Sequence, residues 1–297
     1  MRSFRSVLRR VAAAVCATAA LSPATGPARA APPGEPPRAR ADAVTAPAGA
    51  LEPVAPAQFV ALRTVAPGVR EELRYATREN FLGDRVDGYR QPLCLLTRPA
   101  AEALARAQSG LLRLGYTLKV YDCYRPQRAV DRFVRWAGDP QDRRMQAEFY
   151  PRVDKSRLLA DGYLAERSGH SRGGTVDLTL VRLPGVPVGV RPEPGRPAGA
   201  CHGPAAERRR DDAVDMGTAY DCFDPRSHTD HPGVSGAQRA HRDLLRRALG
   251  AEGFVNLPEE WWHFTHRPEV FPDTYFDFPV AWRSLARGEV NGSGRAG

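Results

Sequence analysis

Ser168-Gly169-His170-Ser171-Arg172-Gly173-Gly174-Thr175-Val176-Asp177, continued by Leu178-Thr179-Leu180-Val181, sets an acidic residue inside a strand pattern. From Gly174 to Val181 the side chains alternate with a period of two, Thr175, Asp177 and Thr179 on one face and Val176, Leu178 and Leu180 on the other. A Gly/Ser turn carrying His170 precedes it. An aspartate in a strand rich in Val and Leu is costly unless it is paired, hydrogen-bonded or bound to a metal. His170 and Asp177 are therefore expected to point into one cleft. The plain alternatives are a turn histidine and a solvent-facing strand residue.

The flanking sequence supplies the rest of a fold. Thr97 to Leu114 spaces Ala101, Leu104, Ala105, Leu111 and Leu112 as a helix that Thr97 could cap, and Tyr116 to Tyr121 alternates like a strand. Pro126 suits a first helical turn, and Ala129, Val130, Phe133, Val134 and Ala137 continue that helix to the Gly138-Asp139-Pro140 stop. Arg125 is thereby placed at a strand-to-helix corner. Residues 184–210 are rich in Pro, Gly and Arg and read as a structureless surface excursion tied down by Cys201. A helix from Ser235 to Leu249 and a strand around Trp261 to His266 follow. With no strict strand-helix alternation, the expectation is an α+β fold, a mainly antiparallel sheet with flanking helices in one domain over residues 57–284.

Composition narrows the function. The 297 residues are 42% hydrophobic and 26% charged, which excludes a disordered or fibrous chain. The net charge of +9 falls to +4 without the five arginines of residues 1–30, and the remainder is dispersed, so nucleic acid is not an expected partner. Residues 1–30 read as an export signal: a basic stretch from Arg2 to Arg10, an apolar one from Val11 to Leu21, and an A-x-A site at Ala28-Arg29-Ala30. Eleven apolar residues are too few to span a bilayer, which takes roughly 20, so stable membrane insertion is not expected. Cleavage near Ala30 would leave a secreted or extracytoplasmic chain with a Pro/Ala-rich disordered leader at 31–56 and a flexible tail at 285–297. The oligomeric state is open. Four cysteines remain, and an oxidising compartment makes disulfides the default. Of three connectivities, Cys94–Cys123 and Cys201–Cys222 close modest loops and are favoured.

Two further segments bear on chemistry, Glu259-Glu260-Trp261-Trp262-His263 and Tyr121-Asp122-Cys123-Tyr124-Arg125-Pro126. His263 lies between aromatic residues in a run that must be largely buried. Two imidazoles and one carboxylate leave the fourth tetrahedral position of a zinc ion open, the pattern of a catalytic site. Glu260, three residues before His263, is the natural general base, and Arg125 is a fixed cation for a developing oxyanion. The plain alternatives are an i,i+3 pair packing two tryptophans and a surface ion pair. His228, Asp230 and His231 form a rival metal cluster in a turn-rich loop. No HExxH or P-loop motif occurs.

Together these segments resemble the D-alanyl-D-alanine dipeptidase family of VanX-like, LAS-type zinc peptidases (peptidase family M15). The resemblance runs from about Val60 to Val280. It rests on Tyr75-Ala76-Thr77 with Asn80-Phe81, Tyr124-Arg125-Pro126 with Arg128-Ala129-Val130, Ser168 to Gly173 through Asp177-Leu178-Thr179-Leu180, Met216-Gly217 through Asp221 and Phe223, Arg226-Ser227-His228, Glu260-Trp261-Trp262-His263, and Tyr275-Phe276-Asp277-Phe278-Pro279. It implies one Zn²⁺ per chain on His170, Asp177 and His263, Glu260 as base and Arg125 as stabiliser of the tetrahedral intermediate. It further implies Asp221 and Tyr75 near the substrate's amino group, with Ser168 lining the site. The implied activity is hydrolysis of D-Ala-D-Ala, as a free dipeptide or as part of a peptidoglycan fragment. Rival readings are a D,D-carboxypeptidase or endopeptidase on stem peptides, which an excursion at 184–210 opening the pocket would admit, and a non-catalytic wall-binding module with structural zinc.

Overall fold

The computed structural model describes residues 52–184, 188–191 and 198–286. The export signal and most of the leader and tail lie outside the described residues. The folded part extends slightly beyond its expected bounds. Ala55 is buried with its N–H on Ser284 O (2.7 Å), and Leu285 is buried as well.

The strands are β1 (Phe59–Ala61), β2 (Arg70–Glu71), β3 (Leu95–Thr97), β4 (Tyr116–Asp122), β5 (Thr175–Arg182), β6 (Phe254–Asn256) and β7 (His263–His266). The helices are α1 (Leu62–Val65), α2 (Arg98–Leu112), α3 (Gln127–Ala137), α4 (Gln146–Phe149) and α5 (Gly236–Gly250). A five-stranded sheet runs β2-β4-β5-β7-β6, antiparallel except for the β2–β4 pair, and β1 pairs with β3 in a small second sheet. This is the expected α+β architecture with a mainly antiparallel sheet. The long elements fall where periodicity placed them. The strand expected around Trp261 starts only at His263, because Glu260 to His263 is a turn closed by His263 N–H on Glu260 O (3.2 Å).

Two cores hold the sheet. The apolar stripe of α2, with Ala100, Leu104, Ala107 and Leu111 fully buried, packs with Leu245 and Leu249 of α5 against Leu118, Val120, Leu178 and Leu180. Each such aliphatic side chain contributes about 1.5–3 kcal/mol by leaving water. The second core is aromatic and gathers Phe59, Tyr75, Phe81, Tyr124, Phe133 and Trp136 around α3. Because both faces of β5 are covered, Thr175 through Val181 are all buried. The threonine and aspartate face is therefore not solvent-facing. It must satisfy its polar groups internally.

The described residues of the 184–210 excursion are more ordered than its composition suggested. Val188 exchanges two backbone hydrogen bonds with Asp211 (2.7 and 2.9 Å), and Val190 accepts from Arg210 while donating to Arg208 (2.8 Å each). Residues 198–208 fold back on themselves through Gly199 N–H to Glu207 O (2.8 Å). Both favoured disulfides, Cys94–Cys123 and Cys201–Cys222, are present.

Candidate functional site

One transverse rung of the sheet organises the site. Asp122 of β4 pairs with Asp177 of β5, which pairs with His263 of β7, and a register shift between Val120 and Asp122 brings Asp122 onto that rung. A bulge of this kind re-aims a side chain at the end of a strand. His170 comes from a single 3-10 turn, Gly169–Arg172, just before β5. Ser168 caps that turn, its Oγ accepting from His170 N–H at 3.3 Å. Gly173 ends it at φ +80°, and a Cβ there would lie 2.3 Å from the Phe59 ring, so only glycine fits.

The side chains converge. His170 Nδ1–H donates to Cys123 O (2.7 Å), which fixes the tautomer and leaves Nε2 as a lone pair. That Nε2 lies 3.2 Å from both Asp177 Oδ1 and His263 Nδ1, and His263 Nδ1 lies 3.1 Å from Asp177 Oδ1. Asp177 Oδ1 is buried with no hydrogen-bond partner, whereas Oδ2 accepts from Tyr220 OH (3.1 Å) and Arg125 Nη2 (3.4 Å). A buried carboxylate oxygen facing two ring nitrogens is costly unless a cation lies among them. The triangle of donor atoms approaches the separation of about 3.3 Å expected for three corners of a tetrahedron with bonds of about 2.0 Å, so the set fits a divalent metal.

The groups proposed to act on a substrate surround this triangle. Glu260 Oε2 lies 3.4 Å from His263 Nδ1. Burial, then the charges of Asp177 and Asp221, push its carboxyl well above the ordinary range. Arg125 is buried at the corner between β4 and α3. Its Nε donates to Asp122 Oδ2 (2.9 Å), and its guanidinium lies 5.1 Å from the ring centroids of both Tyr75 and Phe133. Asp221 accepts from Tyr75 OH through Oδ1 (3.1 Å), while its Oδ2 is buried without a partner. Burial, then the charge of Asp177, pushes the Asp221 carboxyl well up. Asp221 also has φ +59°, a conformation that costs a non-glycine residue about 1 kcal/mol or more.

All eight expected site residues apart from the cysteines are thus brought together, seven of them lining one cavity of about 240 Å³ and His170 joining it through its Nε2. The walls include Phe81, Phe133, Phe223 and Trp262, drawn from both cores. No described residue of the 184–210 excursion lines it. The rival cluster does not form. Asp230 is taken by Arg239 (2.9 Å) and Arg246 (3.1 Å), and the two metal-capable groups among the described residues do not include His228 or His231.

Three residues with evident structural roles here were not singled out from sequence. Asp122 is fully buried, accepts from Tyr89 OH (2.6 Å) as well as Arg125, and its Oδ2 lies 3.6 Å from His170 Nδ1. Its signal was an aspartate at a strand end three residues before Arg125. Tyr220 offered none beyond its place beside Asp221. Arg242 of α5, also buried, donates to the carbonyls of Met216, Arg226 and His228 (2.6–2.9 Å) and so ties together the two ends of the loop that carries Asp221.

A family profile described as D-ala-D-ala dipeptidase, peptidase M15, matches residues 55–188 and 206–281. Similar curated proteins include a D-alanyl-D-alanine dipeptidase of Streptomyces coelicolor, 40% identical over 223 residues, or 75% of this chain and 98% of that protein. One from Enterococcus faecalis is 37% identical with the same coverage, and one from Escherichia coli is 32% identical over 70% of this chain and 83% of its own length.

Proposed function

The chain belongs to the M15 peptidases, the D-ala-D-ala dipeptidase family, and we propose that it is an exported zinc dipeptidase that hydrolyses free D-alanyl-D-alanine to two D-alanines. The observation that carries the substrate class is Asp221 Oδ2, a buried acceptor without a partner on the cavity wall. A free dipeptide brings an ammonium that can pair with it. A stem peptide has an uncharged amide nitrogen at that place and would leave the acid uncompensated. The small cavity, lined by no described residue of the 184–210 excursion, favours the same reading over a carboxypeptidase or endopeptidase.

In this reading His170, Asp177 and His263 hold one zinc ion. Zinc supplies an activated water at neutral pH and polarises the scissile carbonyl. Glu260 takes the proton of the attacking water and passes it to the leaving nitrogen. Its Oε2 lies 3.4 Å from His263 Nδ1, within reach of a water held beside the triangle. Arg125 is already held by Asp122 and packed on Tyr75 and Phe133, so it can stabilise charge on the carbonyl oxygen without first being reorganised. Tyr75 orients Asp221, and Ser168 keeps the His170 turn in shape. Export is supported by the basic and apolar pattern of residues 1–30, and two disulfides suit an oxidising compartment. An exported enzyme would meet its dipeptide as a wall fragment, which makes scavenging or wall turnover the proposed role.

Metal analysis paired with a D-alanine release assay tests this. The purified protein should hold one zinc per chain and turn over free D-Ala-D-Ala faster than a stem pentapeptide. Faster turnover of the pentapeptide would overturn the dipeptidase assignment, and activity without metal would overturn the mechanism.

A further inference from the structure

Asp221 holds a backbone conformation that is unfavourable for its residue type, and it is the only non-glycine residue with positive φ among the described residues. Its neighbours are fixed from separate sides. Tyr220 OH donates to Asp177 Oδ2, whereas Cys222 is cross-linked to Cys201. Cys201 is itself anchored, its N–H donating to Glu148 O (2.8 Å) and its carbonyl accepting from Ala219 N–H (2.9 Å). Cys201 therefore grips the 219–222 segment twice, once through backbone and once through sulfur. Cys201 also falls in the stretch 189–205, between the two blocks matched by the family profile.

We propose that the inserted stretch acts through the Cys201–Cys222 bond as a specificity element, positioning Asp221 for the ammonium of the substrate. The inference rests on the reading of Asp221 given above. The backbone that carries the metal-binding triangle and Glu260 belongs to β5, β7 and their adjoining turns, outside the clamped segment, which touches that set through Tyr220 OH on Asp177 Oδ2. Releasing it frees Asp221 to leave the left-handed region and moves its carboxylate off the cavity wall. Ground-state binding suffers, whereas the backbone that carries the metal ligands and Glu260 stays in place.

The test replaces both cysteines by serine, which avoids a stray thiol, in the full-length mature protein. Against the parent, KM for D-Ala-D-Ala should rise about tenfold, equivalent to about 1.4 kcal/mol, while kcat and metal content stay near the parent values. Adding Asp221→Asn should abolish most of that KM effect, because two changes acting through one contact are not additive. Hydrogen exchange at the Ala219 and Phe223 amides should speed up in the cysteine variant. An unchanged KM, or a rise that adds fully to that of Asp221→Asn, overturns the proposal, as does loss of metal together with kcat. If the parent does not hydrolyse the dipeptide, the functional reading fails separately, and unchanged exchange at these amides still refutes the clamp. Should the variant not fold, reduction of the native protein to four thiols by a phosphine that does not bind zinc gives the comparison, with metal content and exchange around Cys123 separating out the effect of the other disulfide.

Discussion

At His170, Asp177 and His263 three acceptor atoms face one another at 3.1–3.2 Å with no protein cation among them. At Glu72, Asp211 and Asp212, the other place among the described residues where three such groups come within reach of a single ion, Lys119 occupies the middle. Its Nζ lies 2.9 Å from Glu72, 2.5 Å from Asp211 and 2.6 Å from Asp212, and Arg74 and Arg70 pair with the outer oxygens. Burial works against the Asp211 carboxyl, yet Lys119 and Arg74 hold it below the usual range. One cluster thus supplies its own counter-charge and is an internal ion-pair network. The other leaves Asp177 Oδ1 without any partner. Proximity of acids and imidazoles is common to both, and what separates a metal site from a structural one is whether the protein fills the centre.

The sharpest way to break this contrast is His263→Ala, which should lose both bound metal and detectable dipeptidase activity. Retention of metal at parental stoichiometry would show that the triangle is not the site. Glu260→Gln should keep the metal and lower kcat by about 10²–10⁴-fold, read by single-turnover assay with metal analysis. Full activity would mean another base. At the second cluster, Lys119→Met removes the cation shared by three carboxylates and leaves them to Arg74 and Arg70. Because those acids are partly exposed, the loss should fall toward or below the low end of the roughly 3–5 kcal/mol seen when a buried pair is broken, measured by denaturant unfolding, with kcat unchanged. Asp221→Asn should raise KM for the free dipeptide about tenfold or more, the cost of a lost charge-assisted contact, with a smaller effect on kcat. The smallest effect is on acid stability. A carboxyl depressed in the folded state contributes stability that is present above its unfolded pKa of about 3.9 and is lost as pH falls through the lower folded value. Below about pH 4 the parent should therefore lose stability more steeply than Lys119→Met, in which Asp211 is no longer depressed by that lysine.

Much of this contrast could be read along the chain, and the reasons it could not all be read are local. His170, Asp177, Glu260 and His263 stand in short segments whose oddity is visible, an acid in an apolar strand and a histidine among aromatics. Asp122 stood in a segment that drew notice, yet its role depends on Tyr89 and Arg125 meeting it in a buried pocket. Arg242 looked like one more polar residue of an amphipathic helix, because its acceptors are carbonyls 13–26 residues away in the chain. The excursion looked structureless because Pro and Gly hide a backbone pairing that forms only when Val188 meets Asp211.

Amino-acid order alone dictated the strand alternation of β5, the apolar stripes of α2, α3 and α5, the even set of cysteines outside the first thirty residues and the types of side chain available for catalysis. These follow from periods of two and 3.6 residues that act within a few positions. Which atoms meet was settled by folding in three dimensions. Asp122, Asp177 and His263 share a rung through strand pairing and a bulge, and the clamp on Asp221 exists because Cys201 and Cys222, 21 residues apart, come together. Long-range pairing of this kind depends on the packing of the whole chain, and no local pattern encodes it.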